Sequence, residues 1–263
     1  MRLIVADIGG TNARFAVSSQ GETSLCHITH LRCADFVGFE DAFDRFLTGI
    51  PRDQQGGQHV LSLAVAGPVN DQIVDVSNNH WRFDKTRLLE RLALDKLLVI
   101  NDFTAQALAQ HNTADGDRRQ ILDGIEDAGA PLLVIGPGTG LGVSALIPVV
   151  QGPLPVEGEG GNIRFAPQTE PERDLCAYME QQTDHVVVEH FVSGPGLENI
   201  YRFLANSAGI EPSLSAEMIA TSALREEGIC RDAVNLMIGI LGTVMRDHVL
   251  TMGCWRGAVI TGG

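Results

Sequence analysis

Basic charge is scarce in this chain: 19 Lys and Arg stand against 33 Asp and Glu, a formal net charge of −14. Nucleic acids and anionic membrane surfaces are bound through clustered Lys and Arg, so the deficit argues against both and for a small-molecule partner. Paired cysteines are missing too. Cys26, Cys33, Cys176, Cys230 and Cys254 are odd in number and scattered, without a CxxC pair. That argues against a disulfide framework or a zinc site and for reduced thiols in the cytoplasm. No window approaches the roughly 18 uninterrupted apolar residues of a membrane span, and no signal-peptide architecture precedes "RLIVADI". Short-period repeats and low-complexity segments are also absent. What is present, 263 residues of which 44% are hydrophobic, suffices for the core of one large domain or two smaller ones.

Periodicity organises the chain into two α/β halves divided near residue 112. "RLIVADIGGTNARFAVSS" reads as strand, glycine turn, strand, with Ala13, Phe15 and Val17 alternating against Asn12, Arg14 and Ala16. Helical spacing follows in "FVGFEDAFDRFLTGI", then a buried strand in "HVLSLAVAG". "VDVSNNHWRFD" reads as one further strand before the helix "KTRLLERLAL", and "KLLVIND" as a strand feeding the helix "TAQALAQH". After the polar "NTADGDRRQ" the opening pattern returns in "PLLVIGPGTGLGVSALIPV". Helices follow at "PERDLCAYMEQQ", "GPGLENIYRFLANS", "SAEMIATSALREEG" and "RDAVNLMIGILGTVMRDHVLTM", and "GAVIT" is a last strand.

The two glycine turns fit neither common phosphate motif. "GPGTGLG" fails GxGxxG because Val143 stands at the last position and a strand follows where a helix is required; it fails the Walker form because no Lys follows the glycines. A hairpin whose successive N–H groups point into a concavity can still bind an anion without lysine. Taken alone, each turn is adequately explained as a plain hairpin. Two of them, one opening each half, with Asp7, Gly9, Gly10, Thr11 and Asn12 in the first and Gly138, Thr139 and Gly140 in the second, could hold the phosphates of a nucleotide.

Three carboxylates invite a chemical reading. Asp102 follows Asn101 at the end of a buried strand, where α/β sheets bind ligands, although an N-cap of the next helix, by Asp102 or Thr104, explains it equally well. Glu159 lies among glycines in "VEGEGGNIRFAP", where a solvated loop carboxylate is the ordinary explanation. Glu189 in "HVVVEHFVSGPGL" lies on an apolar segment and needs a partner, either an ion pair or a polar ligand. The histidines make no metal site: the pair in "HITH" would face opposite sides of a strand, and His185 and His190 lack the HExxH spacing. Trp81 in "NHWRF" reads as core or cleft wall.

Together, "DIGGTNARFAV", "AVAGPV", "NHWRF", "INDFTAQALA", "GPGTGLGV", "EGEGGNIRFAP", "VVVEHFVSGPGLENIY" and "GAVITGG" closely resemble the bacterial glucokinase family, in the family's order and from end to end of the chain. The resemblance implies a two-domain actin-like (ribonuclease H-like) α/β sugar-kinase fold with an interdomain cleft, a small domain at 1–112 and a large one at 113–263. It implies ATP-dependent phosphorylation of glucose at the 6-hydroxyl, with both glycine hairpins on the ATP phosphates. By the same resemblance Asp102 is the general base, Asn101, Glu159 and Glu189 hold sugar hydroxyls, Asp7 lies near Mg²⁺, and Gly262 and Gly263 start the adenosine loop. Closure of the domains would exclude water from the reaction.

Two departures are visible. The family usually has a histidine where this chain has Asn162, a shorter side chain that does not titrate, and the change bears on hexose preference. Family members also continue for several tens of residues beyond "GAVITGG", so the resemblance implies that a chain ending there would lack part of the large domain and would be expected to expose an apolar face. Two expectations follow: an active glucokinase whose chain end is dispensable or rebuilt by a partner in a homodimer, and a sugar-binding remnant of the same fold that turns over weakly or not at all. A sugar-kinase-related transcriptional regulator is disfavoured by the acidic charge and the lack of an N-terminal DNA-binding extension.

Overall fold

The computed structural model describes residues 2–19, 24–51, 59–225 and 227–262. The chain forms two compact units, Met1–Gln106 and Ala107–Gly263. The division falls inside a helix, a little before the position near 112 that the polar linker suggests.

Unit 1 is built on five strands, β1 (Arg2–Ile8), β2 (Asn12–Ser19), β3 (Leu25–Arg32), β4 (His59–Val65) and β7 (Lys96–Asn101). They form one sheet of order β3-β2-β1-β4-β7. β1, β2 and β3 pair antiparallel, whereas β1, β4 and β7 run parallel. The alternation in "ARFAV" does what it predicts: Ala13, Phe15 and Val17 are buried. Ala16 is buried as well, and the β2–β3 register shifts between Phe15 and Val17, with His27 of β3 at φ 53°. Such a bulge locally breaks the two-face pattern. Phe15 stacks on Phe46 (5.2 Å between centroids) and meets Phe39 and Phe43 of α1 (Phe39–Thr48). These side chains, with Leu61, Leu63 and Trp81, form the core of the unit. Trp81 is therefore core.

One expectation is corrected here. "VDVSNNHWRFD" is not a single strand but a hairpin, β5 (Ile73–Asp75) paired antiparallel with β6 (Arg82–Asp84). Asn78 at φ 55° turns the chain, and Trp81 N donates to Asn79 Oδ1 (3.0 Å), so the polar "SNNH" forms the turn. Asp84 then caps α2 (Lys85–Arg91), its carboxylate accepting from Arg87 N at 3.0 Å. α2 stops short of "LAL", and Ala93 takes φ 48°. The last helix of the unit, α3 (Asp102–Ala109), follows β7 directly.

Unit 2 repeats the plan with β8 (Leu132–Pro137), β9 (Leu141–Ile147), β10 (Leu154–Val156) and β11 (Gly257–Ile260), in a four-stranded sheet of order β10-β9-β8-β11. Again an antiparallel hairpin is flanked by an antiparallel strand and, on the other side, by a parallel one. Its helices are α4 (Glu170–Glu180), α5 (Gly194–Ser207), α6 (Ala216–Arg225) and α7 (Ile229–Met252). A capping box between Thr169 and Glu172 starts α4, and Ser193, accepting from Gly196 N at 2.9 Å, starts α5. α7 is long and apolar enough to cross a membrane by length and composition alone, and it turns Ala233, Ile240, Leu241, Val244 and His248 into the interior of unit 2.

Candidate functional site

Parallel register brings the carboxyl ends of three strands of unit 1 together: Ile8 pairs with Val65, and Val65 with Asn101. The first glycine turn leaves β1 at this edge, closed by Gly9 N donating to Asn12 O (2.9 Å). α3 leaves β7 at the same edge. Its cap is Asn101, whose Oδ1 accepts from Phe103 N (2.9 Å) and Thr104 N (3.1 Å) while its Nδ2 donates to Gly67 O (3.1 Å). Capping therefore falls to Asn101, not to Asp102 or Thr104. Asp102, the first helical residue, accepts from Phe103 N at 2.8 Å through Oδ1. Asp7 pairs with Arg14 (2.9 Å), both half exposed, so solvent screens the pair heavily.

An open cleft of about 780 Å³ adjoins the turn, lined by Gly10, Thr11, Arg32, Asp75, Asn78 and His80 among others. Every lining residue belongs to unit 1.

In unit 2 the second glycine turn is held by groups remote in sequence. Gly138 N donates to Gly140 O (2.8 Å), and Gly138 O accepts from Gly194 N (2.8 Å) at the start of α5. The positive end of that helix thus abuts the turn. Glu189 Oε2 accepts from Leu141 N at 3.2 Å, and a Cβ on Gly140 would stand 2.7 Å from the same oxygen. Glu189 has found the partner its apolar setting requires, and that partner is the hairpin itself.

The loop carrying Glu159 and Asn162 lies beside this assembly. Val188 N donates to Ile163 O (3.1 Å) and Phe165 N to Val186 O (3.0 Å), pairing the two segments. The 3-10 turn Gly160–Asn162 leaves both Glu159 and Asn162 exposed. Gly161 is packed against Leu141 of the hairpin, where any Cβ would collide with the Leu141 carbonyl. Gly262 (φ 101°) ends beside β8, its position 3.3 Å from Pro137 O if a Cβ were added. Gly263 lies outside the described residues.

The donors suit an anion. In the described structure the amides of Gly10, Thr11, Thr139 and Gly140 take no protein partner, and Thr11 and Thr139 are exposed. Unspent N–H groups in succession at glycine turns are the physical requirement for cradling phosphate. A hydrated divalent cation is also compatible, because Asp7 keeps an oxygen beyond the one facing Arg14, and Mg²⁺ is commonly held through one carboxylate, waters and phosphate. Among the described residues no group of three His, Cys, Asp or Glu could hold a metal by itself.

Unit 1 thus gathers Asp7, Gly9 to Asn12, Asn101 and Asp102 at one sheet edge, and unit 2 gathers Gly138 to Gly140, Glu159, Asn162, Glu189 and Gly262. Sequence reasoning did not find the side chains that hold these groups: Asn79 and Cys33 behind the first turn, and His248 behind Gly160. His248 of α7 is buried with its ring beside Gly160, where an added Cβ would stand 2.9 Å from Cε1, and its Nε2 has no hydrogen-bond partner in the described structure. Burial holds its imidazole below the ordinary titration range, opposed by the Gly160 backbone and the Asp247 charge. No local pattern marks these residues, since each acts across tens of positions.

The family model described as Glucokinase matches residues 4–263. A glucokinase of Aromatoleum aromaticum is 38% identical over 262 residues, covering 99% of this chain and 78% of that protein. The crystal structure of a glucokinase from an Antarctic psychrotroph superposes with a TM-score of 0.83 at 30% identity, over 100% of this chain and 83% of that one. A ROK family glucokinase from Streptomyces griseus, solved with glucose and AMPPNP, has a TM-score of 0.66 at 20% identity, over 100% and 83% of the two chains, and adds support for the fold alone.

Proposed function

Because the chain belongs to the glucokinase family, whose actin-like α/β fold it shares and whose ATP-dependent phosphorylation of glucose it carries out, we propose that Asp102 is the general base of that reaction. One observation carries the assignment. Asn101 caps the helix through Phe103 N and Thr104 N, and the Asp102 carboxylate beside it, which accepts from Phe103 N, stands at the carboxyl end of β7 on the same sheet edge as the first glycine turn.

The chemistry follows from the groups in place. Asp102 accepts the proton of the glucose 6-hydroxyl as that oxygen attacks the γ-phosphorus of ATP. Asn101, anchored through both ends of its amide, fixes the start of α3 and offers its remaining valence to the sugar. Glu159, Asn162 and Glu189 hold sugar hydroxyls; carboxylates and amides discriminate a polyol by fixed acceptor geometry. Asn162 accepts or donates but cannot titrate, so hexose affinity through this position is independent of pH near neutrality. Within the turns Gly9 to Asn12 and Gly138 to Gly140, the unspent amides of Gly10, Thr11, Thr139 and Gly140 meet the β- and γ-phosphates, and Gly262 with Gly263 begins the adenosine loop. Asp7 would be the residue to hold a hydrated Mg²⁺, which would supply neutralisation of charge on the phosphoryl oxygens. Free thiols, acidic charge and reliance on ATP suit a cytoplasmic enzyme.

Asp102→Asn tests the reading. Glucose affinity measured by calorimetry should stay within about threefold of the parent while kcat falls by about 10² to 10⁴, the range of general-base catalysis. Retained kcat would remove Asp102 from the chemistry.

A further inference from the structure

The carbonyl of Gly9 is gripped by side chains that belong to neither strand of its hairpin. Asn79 Nδ2 donates to it at 3.0 Å from 70 positions away, and the buried Cys33 thiol approaches it at 3.7 Å. Cys33 N also donates to Thr11 O (2.9 Å), so both sides of the turn are tied down. Asn79 is itself fixed, because its Oδ1 accepts from the backbone N–H of Trp81 (3.0 Å), whose indole is fully buried in the core of unit 1. The neighbouring Asn78 presses on the turn: its carbonyl lies 3.1 Å from where a Cβ of Gly10 would be.

The consequence comes from the peptide plane. The Gly9 carbonyl and the Gly10 N–H belong to one planar trans unit and point in opposite directions. Glycine on both sides of that unit gives it little steric resistance to rotation. Holding the carbonyl inward on Asn79 therefore holds the Gly10 N–H outward, the sense in which a phosphate oxygen is met by a donor and not by another oxygen.

We propose that Asn79 is a positioning residue for nucleotide phosphate, acting through the Gly9–Gly10 peptide and not by contact with the substrate. The inference rests on the first turn being a phosphate cradle.

Asn79→Asp is the sharpest probe. It preserves the shape and the acceptor for Trp81 N but sets a carboxylate oxygen against the Gly9 carbonyl. At pH 8 the KM for ATP and the Kd for ADP should each rise about tenfold, the order expected when a donor is replaced by an opposed acceptor. The KM for glucose should stay within about twofold. Lowering the pH toward the titration of the introduced carboxyl restores an O–H donor, so the excess in ADP Kd over wild type should shrink. A general loosening of the fold would move both substrates together and would not reverse with acid. Equal shifts for both substrates, a shift for glucose alone, or an unchanged ADP Kd would each overturn the proposal. If Asn79→Asp does not accumulate folded, Asn79→Ala is measured in the same way, and wild-type ADP affinity there overturns it too. Failure of the wild-type chain to bind ADP would instead refute the cradle reading on which the inference rests.

Discussion

The two units open on the same hairpin and secure it by different chemistry. In unit 1 the turn is held by neutral donors, the Asn79 amide and the Cys33 thiol, acting on a carbonyl. In unit 2 it is held by a carboxylate, Glu189, acting on an N–H, and by the first amide of α5. The consequence is a different degree of specialisation. Asn79 serves the turn and the core, and its proposed role touches nucleotide alone. Glu189 serves the second turn and is proposed to hold sugar as well, so a change there propagates to both substrates. Burial reinforces the contrast: Cys33, whose thiol desolvation pushes above its ordinary range, stays a protonated donor beside Gly9.

The largest effects should come from the cores that support the two hairpins. Phe15→Ala removes a ring that meets three other phenylalanines and should cost about 3 to 5 kcal/mol in urea unfolding. Phe191→Ala, against Phe165 alone among aromatic rings, should cost toward the lower end of that range. A larger loss at Phe191 would reverse the ranking of the cores.

Next is Glu189→Ala, which strands Leu141 N and should raise the KM values of both ATP and glucose, by about tenfold each if a lost hydrogen bond costs about 1 to 2 kcal/mol. Glu189→Gln keeps an acceptor and should spare ATP more than glucose. An effect of Glu189→Ala on glucose only would sever the carboxylate from the hairpin.

Smaller still is a contrast within the second turn. Gly140→Ala places a Cβ 2.7 Å from the Glu189 carboxylate, whereas Gly138→Ala meets nothing within 4 Å. The first should lower kcat/KM several-fold and the second should be close to neutral, read by steady-state kinetics.

The least effect concerns pH. Because burial lowers the His248 titration, the unfolded chain takes up a proton first as pH falls, and protons favour unfolding. Its contribution is complete above the unfolded value of about 6.5 and is lost progressively below it. Denaturant midpoints of wild type should decline more between pH 6.5 and 5 than those of His248→Gln. Parallel slopes would exclude His248 as their source.

Much of this arrangement was legible in the sequence, for identifiable reasons. Glycine between two alternating apolar runs marks both hairpins, and α5 has the bounds of "GPGLENIYRFLANS" because Ser193 caps it and Pro195 suits its first turn. The turn in "SNNH" was hidden because each flank alternates as a strand does, Val74 and Val76 before it and Trp81 and Phe83 after it, although the five-residue step from Val76 to Trp81 breaks the period of two. Asn101 was a candidate sugar ligand, but its capping role was not foreseen, because a cap one residue before Asp102 looks the same in sequence as Asp102 capping itself. The ties from Asn79, Cys33 and Glu189 to the turns join positions 24 to 70 residues apart, and no periodicity records such contacts.

Glucose 6-phosphate formation by this chain, followed alongside ATP consumption with 6-deoxyglucose in place of glucose, tests the central claim most directly. The account predicts stoichiometric ADP and glucose 6-phosphate with glucose and almost no ADP with 6-deoxyglucose, since the accepting hydroxyl is gone. Equal ADP release with both sugars, or product phosphorylated at another hydroxyl, would contradict it.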